Sequence, residues 1–493
     1  MPKPDDSQMR SVNAERIDQI IQAITEDGPL TYEELLPRMP GLQTEERVRD
    51  IVAIGKKWGV LQNLTGDGDM PAARMKGKGG ATHFVEIAKG AGCVVGLNVG
   101  RTYFAIGVAD PNGRLLSTAG DPPRKGKQKK KTKDNAWRKY RKGQMIVHER
   151  PSGVGGVPLL KYTAKKTIER LAELGVADEE VRAVTLSLPV PVSTTKGTTL
   201  TSSIESTLSD MSVDRQFRLA LGKGRFPNLE KVVLANDADV AARGEVRYGK
   251  AHGKRDVIAI HAAYGVGAGV ITDGKILRTG AGGGAGEIGH CIPRLWPDAN
   301  VGYGLPALDP EDALFTCVCG GSGHLEAMAG GEAIVKRVSA DTVKPKPPKR
   351  LAELLASSEK TVAEKLDGVL KASTRSRPWK PGAAALSDAA RLLGGAVHTV
   401  THMFHPEAVY LSGKLSEAGE PFLLEVKEAF EQLDSLSTYS PVIELGTASG
   451  PFNRRLIMVR GAAMTAVRST EPLINKDRLK ELEEEHKELE GTS

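Results

Sequence analysis

A chain of 493 residues has room for about three domains, and its 40% hydrophobic and 26% charged residues are those of a globular protein. No run of eighteen or more apolar residues occurs and Met1 to Asp6 lacks the apolar stretch of a secretion signal, so membrane roles are set aside and a cytoplasmic protein is expected. Four cysteines are too few for a disulfide framework, and the net charge of +7 is concentrated between Arg124 and Lys142, where eleven Lys or Arg meet one acid; that stretch carries +10 and the remainder −3.

From residue 14 to 27, Ile17, Ile20, Ile21 and Ile24 recur at helical spacing, and Gly28-Pro29 ends the helix. Thr31 stands three residues before Glu34, a capping-box spacing that opens a short second helix through Leu35 and Leu36. After the turn at Pro40-Gly41, a third helix runs from Thr44 through Arg47, Val48, Ile51 and Val52 to near Gly59. Val60 to Leu64 and His83 to Ile87 then read as a strand and its returning partner, with a long glycine- and lysine-bearing wing between them. Three helices followed by a two-stranded wing over 14–88 look like a winged helix-turn-helix. Gln43, Thr44, Arg47 and Arg49 are its candidates for groove contacts, and Arg74, Lys76 and Lys78 for phosphate contacts with double-stranded DNA. A small helical interaction module is the other reading, because Glu45 and Glu46 dilute the positive charge of the third helix.

Past residue 92 short β-rich runs alternate with helices. Cys93 to Asn98 and Tyr103 to Asp110 read as strands joined at Val99-Gly100-Arg101-Thr102, and Asn112-Gly113 is a hairpin turn leading to Arg114-Leu115-Leu116. The basic block of 124–142 follows, inside an insertion spanning 121–150. It is either a solvated, self-repelling loop or an arm that gains affinity for nucleic acid through counterion release. Leu234-Ala235-Asn236-Asp237-Ala238 places an Asn-Asp pair at a strand end, and Asp256 to Ile260 starts another β run. Cys317-Val318-Cys319 alone would be read as two buried thiols. With His324 five residues on and His290 upstream it offers four N/S donors, the number that tetrahedral zinc takes. Cys291 is a core residue or a spare ligand. Leu386 to Val400 is an apolar-periodic helix, Lys344 to Lys349 is linker-like, and the tail 469–493 is highly charged.

Gly286-Glu287-Ile288-Gly289-His290 together with Cys317-Val318-Cys319-Gly320-Gly321-Ser322-Gly323-His324-Leu325-Glu326 resembles the ROK family, named for repressors, open reading frames and sugar kinases. The likeness runs from about 92 to 468, with His324 where the family has a third Cys. The resemblance implies a two-lobed ribonuclease-H-like body of the actin and sugar-kinase type, with lobe 1 at 92–240 and lobe 2 at 241–468. It further implies a structural zinc on His290, Cys317, Cys319 and His324, and sugar contacts from Asn236, Asp237, Glu287, His290 and Glu326. Asp237 matches the family's general base and would be catalytic only in a kinase.

Family kinases carry an Asp and then Gly-Gly-Thr in the first phosphate loop; here the aligned residues are Asn98, Gly100, Arg101 and Thr102. The second loop, Gly-Thr-Gly in kinases, is Ala263-Tyr264-Gly265. The family's Pro-Gly-Pro-Val segment stands as Pro189-Val190-Pro191-Val192, without its glycine. An α/β regulator with an N-terminal winged helix-turn-helix is therefore expected, sensing a sugar or sugar phosphate without kinase activity and acting as a homodimer or homotetramer on operator DNA. The alternative is an ATP- and Mg2+-dependent sugar kinase with an added DNA-binding domain.

Overall fold

The structure, a computed structural model, describes residues 6–64, 84–119, 139, 142–151, 153–193, 196–199, 206–277, 284–294, 303, 305–433, 439–447 and 451–470. The first helix, α1 (Asp6–Asp27), buries Ile17, Ile20, Ile21 and Ile24 in a small core of its own. After β1 (Leu30–Thr31), α2 (Tyr32–Leu35) opens on a reciprocal cap: the Thr31 hydroxyl accepts from the Glu34 N–H while the Glu34 carboxylate accepts from the Thr31 N–H. Thr44 caps α3 (Glu45–Lys57) one way only, its hydroxyl accepting from the Arg47 N–H. β2 (Leu61–Asn63) pairs antiparallel with β3 (Phe84–Ile87), and β1 lies on the other side of β3. A two-residue strand is too short to leave a period in the sequence. Arg74, Lys76 and Lys78 lie outside the described residues.

The body holds two sheets of the same connectivity. In the first, β4 (Cys93–Val99), β5 (Tyr103–Ala109) and β6 (Ile146–Glu149) form an antiparallel meander. α4 (Gly156–Glu173) then leads to β7 (Val181–Leu188), parallel to β4. A small hairpin of β8 (Val192–Ser193) and β9 (Thr198–Thr199) and the helix α5 (Val213–Leu221) precede β10 (Lys231–Asn236), parallel to β7. Counted from its own first strand, this sheet has the order 3-2-1-4-5.

The second sheet repeats that order with β11 (Val257–Ala262), β12 (Val266–Thr272), β13 (Lys275–Ile276), β14 (Ala408–Ser412) and β15 (Val442–Leu445). Between the sheets in sequence runs α6 (Asp237–Tyr248). Among the described residues, five α-helices fill the long connection between β13 and β14: α7 (Leu325–Ala329), α8 (Gly331–Val338), α9 (Lys349–Ala356), α10 (Val362–Ser373) and α11 (Lys380–Phe404). They bury one large core with α12 (Glu420–Leu433).

Three local readings change. The strand expected at Arg114-Leu115-Leu116 is only a bridge from Leu115 to Ala109. The strand proper, β6, comes after the basic block 124–142 and lies inside the segment 121–150 expected to be an insertion, so the insertion stops short of Ile146, where the sheet edge resumes. Lys344 to Lys349 is pinned rather than linker-like, with the Lys344 N–H donating to the Tyr303 carbonyl and the Trp379 indole N–H to the Pro345 carbonyl. The last helix among the described residues, α13 (Pro451–Val467), falls within the 241–468 segment assigned to lobe 2 yet packs on the first sheet. Gly96 of β4 makes that possible, because a Cβ there would strike the Val459 carbonyl and the Ala463 amide.

Candidate functional site

A cavity of about 480 Å³ opens at the carboxyl ends of β4, β10 and β11, where loops of both sheets meet. Asn236, Asp237, Glu287, His290 and Glu326 all line it, as do Cys317 and Cys319. Asn236 is the N-cap of α6: its carbonyl oxygen accepts from the Ala238 N–H, and its amide donates to the Val190 carbonyl, holding the Pro189-Val190-Pro191 loop against the cavity. Asp237 follows as the first residue of α6. Burial pushes its carboxyl up to about 7, against the pull of the Ala238 N–H and with added repulsion from Glu287, Asp239 and Glu326. Burial also raises Glu287.

Gly286 sits at φ +91 and its carbonyl accepts from the Ala268 N–H, so the loop lies tight on β12. A side chain at 286 would strike the Ala268 carbonyl. That approach aims Glu287 and His290 into the cavity. Glu326, in the first turn of α7, accepts from the Val266 N–H at 3.1 Å and thereby ties α7 to the second phosphate-loop position.

His290, Cys317, Cys319 and His324 converge, their ligand atoms all within 4.8 Å of one another. His290 Nδ1 lies 3.5 Å from His324 Nδ1 and 3.6 Å from Cys317 Sγ, and Cys319 Sγ lies 3.3 Å from His324 Nδ1. A tetrahedral zinc with ordinary Zn–N and Zn–S bonds has edges of roughly 3.3 to 3.8 Å, so the donor set and its spacing fit that ion. Burial pushes the Cys317 thiol up to about 12, a cost that a bound cation reverses. His290 faces both ways: its Nδ1 joins the cluster while its Nε2 lies 3.9 Å from Glu287 in the cavity. Cys291 is exposed and stands outside the cluster, so it is neither core nor ligand here.

The phosphate-loop positions are filled differently. Asn98 is buried and its amide donates to Ser187 Oγ at 3.3 Å. Arg101 reaches across from the β4–β5 turn, with Nη1 3.7 Å from Glu332 and its guanidinium 5.7 Å from the Tyr264 ring centroid. Lys414, Arg454 and His261 also line the cavity, and sequence reading missed all three. Burial, assisted by Arg454, pushes His261 down to about 4 and so keeps the imidazole neutral. A polar residue inside the apolar run Val257 to Ala262 was the signal for it; Lys414 and Arg454 are brought in by tertiary folding alone.

Gln43, Thr44, Arg47 and Arg49 are all exposed along the start of α3. Arg49 pairs with Glu45 at 3.4 Å and lies over the Tyr32 ring, whereas Arg47 extends from the capped turn.

A family model described as the ROK family matches residues 163–450, more than half of the chain. Over 200 residues the chain is 28% identical to a glucokinase from Halalkalibacterium halodurans, an alignment covering 41% of this chain and 54% of that protein. It is 27% identical over 212 residues to a xylose repressor from Caldicellulosiruptor bescii, covering 42% of this chain and 46% of the repressor. The chain thus spans about half the length of these curated relatives. The crystal structure of a ROK family transcriptional regulator, a homolog of the E. coli MLC protein, superposes with a TM-score of 0.59 at 17% identity, covering 92% of this chain and 99% of that one. At that identity the likeness is one of fold.

Proposed function

The chain belongs to the ROK family, and from that premise we propose that it is a transcriptional regulator that binds operator DNA through its N-terminal unit and senses a sugar or sugar phosphate in the body. The observation that carries this reading is α6. Its first residue, Asp237, lines the cavity, and roughly 15 Å further along the axis Arg247 holds the N-terminal unit through Nη1, which donates to the Asp27 carbonyl at 2.5 Å, while its Nη2 donates within the body to the Asn112 carbonyl at 3.3 Å. A regulator needs such a connection between ligand and DNA; a kinase does not.

The N-terminal unit supports the reading as a winged helix-turn-helix, with Gln43, Thr44, Arg47 and Arg49 exposed for groove contacts. Named relatives of both kinds, a xylose repressor and a glucokinase, frame the choice. The phosphate-loop positions favour sensing. Asn98 brings no charge for a metal and is bonded to Ser187, and the Arg101 and Tyr264 side chains stand where a magnesium triphosphate needs open backbone amides. These residues do not fit ATP with Mg2+. In this reading Asp237, Asn236, Glu287, His290 and Glu326 hold sugar hydroxyls. A zinc on His290, Cys317, Cys319 and His324 would be structural, since four protein ligands leave no open position, and would orient the His290 ring toward the sugar. A helix-turn-helix reads about one major groove, so a homodimer or homotetramer on a two-fold site is expected.

The second reading, an ATP-dependent sugar kinase with an added DNA-binding domain, is favoured by the intact Asn236-Asp237 pair and a carboxyl near 7 that could serve as a base. Selection of genomic fragments at low and moderate salt, run beside an ADP-release assay over a sugar panel, separates the two. The proposal expects a few recovered palindromic sites and no sugar-dependent ADP release. Release that disappears in Asp237→Asn would replace it with the kinase.

A further inference from the structure

We propose that the ligand of this cleft is a phosphorylated sugar, its hydroxyls on Asn236, Asp237 and Glu287 and its phosphate monoester between Arg101, Lys414 and Arg454. The inference rests on the reading of the cavity as a sugar pocket and names the ligand class. The cavity is lined by carboxylates, with Glu287 and Glu326 close enough to repel Asp237, and by cations, of which Arg101 and Arg454 both act on the Tyr264 side chain; these two groups are its acidic and basic ends. The three cations come from distant parts of the chain: the β4–β5 turn, the turn after β14, and α13. Only the closed fold assembles them.

Charge balance at the basic end leaves room for an anion. Lys414 bonds to Glu417 and Asp367, and Arg454 bonds to the same Glu417. Arg101 shares Glu332, at 3.7 Å, with Lys336, at 3.3 Å. Four cations therefore meet three carboxylates. The Lys414 and Arg454 side chains are each 11% exposed, so their field is only partly screened by water. A phosphate monoester carries about −1.5 to −2 charges, and its oxygens match the planar fork of a guanidinium. Arg101 would exchange the longer Glu332 contact for a bidentate one.

Size selects a single phosphate. The Arg101 guanidinium and the Tyr264 ring, 5.7 Å apart, stand between the two loops that would otherwise flank a chain of phosphates. A monoester carried by the sugar reaches the basic end from the sugar side and does not pass between them.

The test is calorimetric titration of the full-length, zinc-loaded protein with glucose, mannose and N-acetylglucosamine, their 6-phosphates, inorganic phosphate and ATP. At least one 6-phosphate is expected to bind about tenfold or more tighter than its parent sugar, as a charge-assisted bond allows. Arg101→Ala should bring the pair to within about twofold, and Arg101→Lys should retain part of the gap. Equal affinity for sugars and their phosphates in the unmodified protein overturns the inference and leaves the sugar pocket standing. Inorganic phosphate or ATP binding as tightly as the best sugar phosphate overturns it also, and binding of no compound removes the pocket reading with it.

Discussion

Asp237 can act as a base in a kinase or as a hydrogen-bond acceptor in a sensor, and its environment makes one property common to both: a carboxyl that holds its proton to about pH 7. Burial is the leading cause, and neighbouring carboxylates add to it. The unfolded group titrates near 3.8, so between there and 7 the folded chain holds an extra proton. The stability this group contributes is complete below pH 3.8 and is lost as pH rises through 7. Asp237→Asn, which has no charge to bury, should therefore gain melting temperature relative to the unmodified protein as pH goes from 6 to 8.5. Differential scanning calorimetry at the two pH values measures it, and a constant offset would mean that the carboxyl is ionised throughout. Arg101 is the other residue whose surroundings matter, since its contact with Glu332 joins the β4–β5 turn to α8 across the cleft.

Among the elements, the helices and the paired strands were legible in the sequence wherever a period or a cap marks them. The isoleucine stripe of α1, the Thr31 and Glu34 cap, the Thr44 cap and the β4–β5 hairpin follow local rules, and each forms where local physics puts it. The cluster of His290, Cys317, Cys319 and His324 was legible for a different reason: three of its four possible donors fall within eight residues, so sequence proximity stands in for spatial proximity. What stayed hidden depends on contacts far apart in the chain. β6 pairs with β5 only beyond the basic block 124–142, α13 crosses back to the first sheet, and Lys414 and Arg454 come to line one cavity with Arg101 only after the two sheets close. The zinc reading makes a prediction at this scale. Stoichiometric metal analysis should find one zinc per chain, and a strong chelator or Cys319→Ser should lower the melting temperature by several degrees while leaving most helical circular dichroism intact. A metal-free protein of unchanged stability would contradict it.

At the scale of the whole molecule, the N-terminal unit and the body are joined by buried polar contacts rather than by a loose linker. The Asn112 side chain bonds both the N–H and the carbonyl of Ile87, the Arg114 guanidinium pairs with the buried Glu86, and Arg468 donates to the Glu26 carbonyl at 3.0 Å. Arg247 lies flat against Gly28 at the end of α1, where any side chain would displace it. Because α6 carries both Asp237 and Arg247, a ligand that shifts its first turn can change how α1 is held. Typical coupling free energies of about 1 to 3 kcal/mol correspond to a five- to 150-fold change in affinity.

The measurement that tests this most directly is the affinity of the full-length protein for a recovered operator fragment, at fixed moderate salt, with and without the sugar or sugar phosphate that binds it, repeated with Arg247→Ala. The account predicts a change of about fivefold or more on ligand addition, in either direction, and near-loss of that change in Arg247→Ala with ligand binding retained. An operator affinity indifferent to a ligand that demonstrably fills the cavity would contradict it.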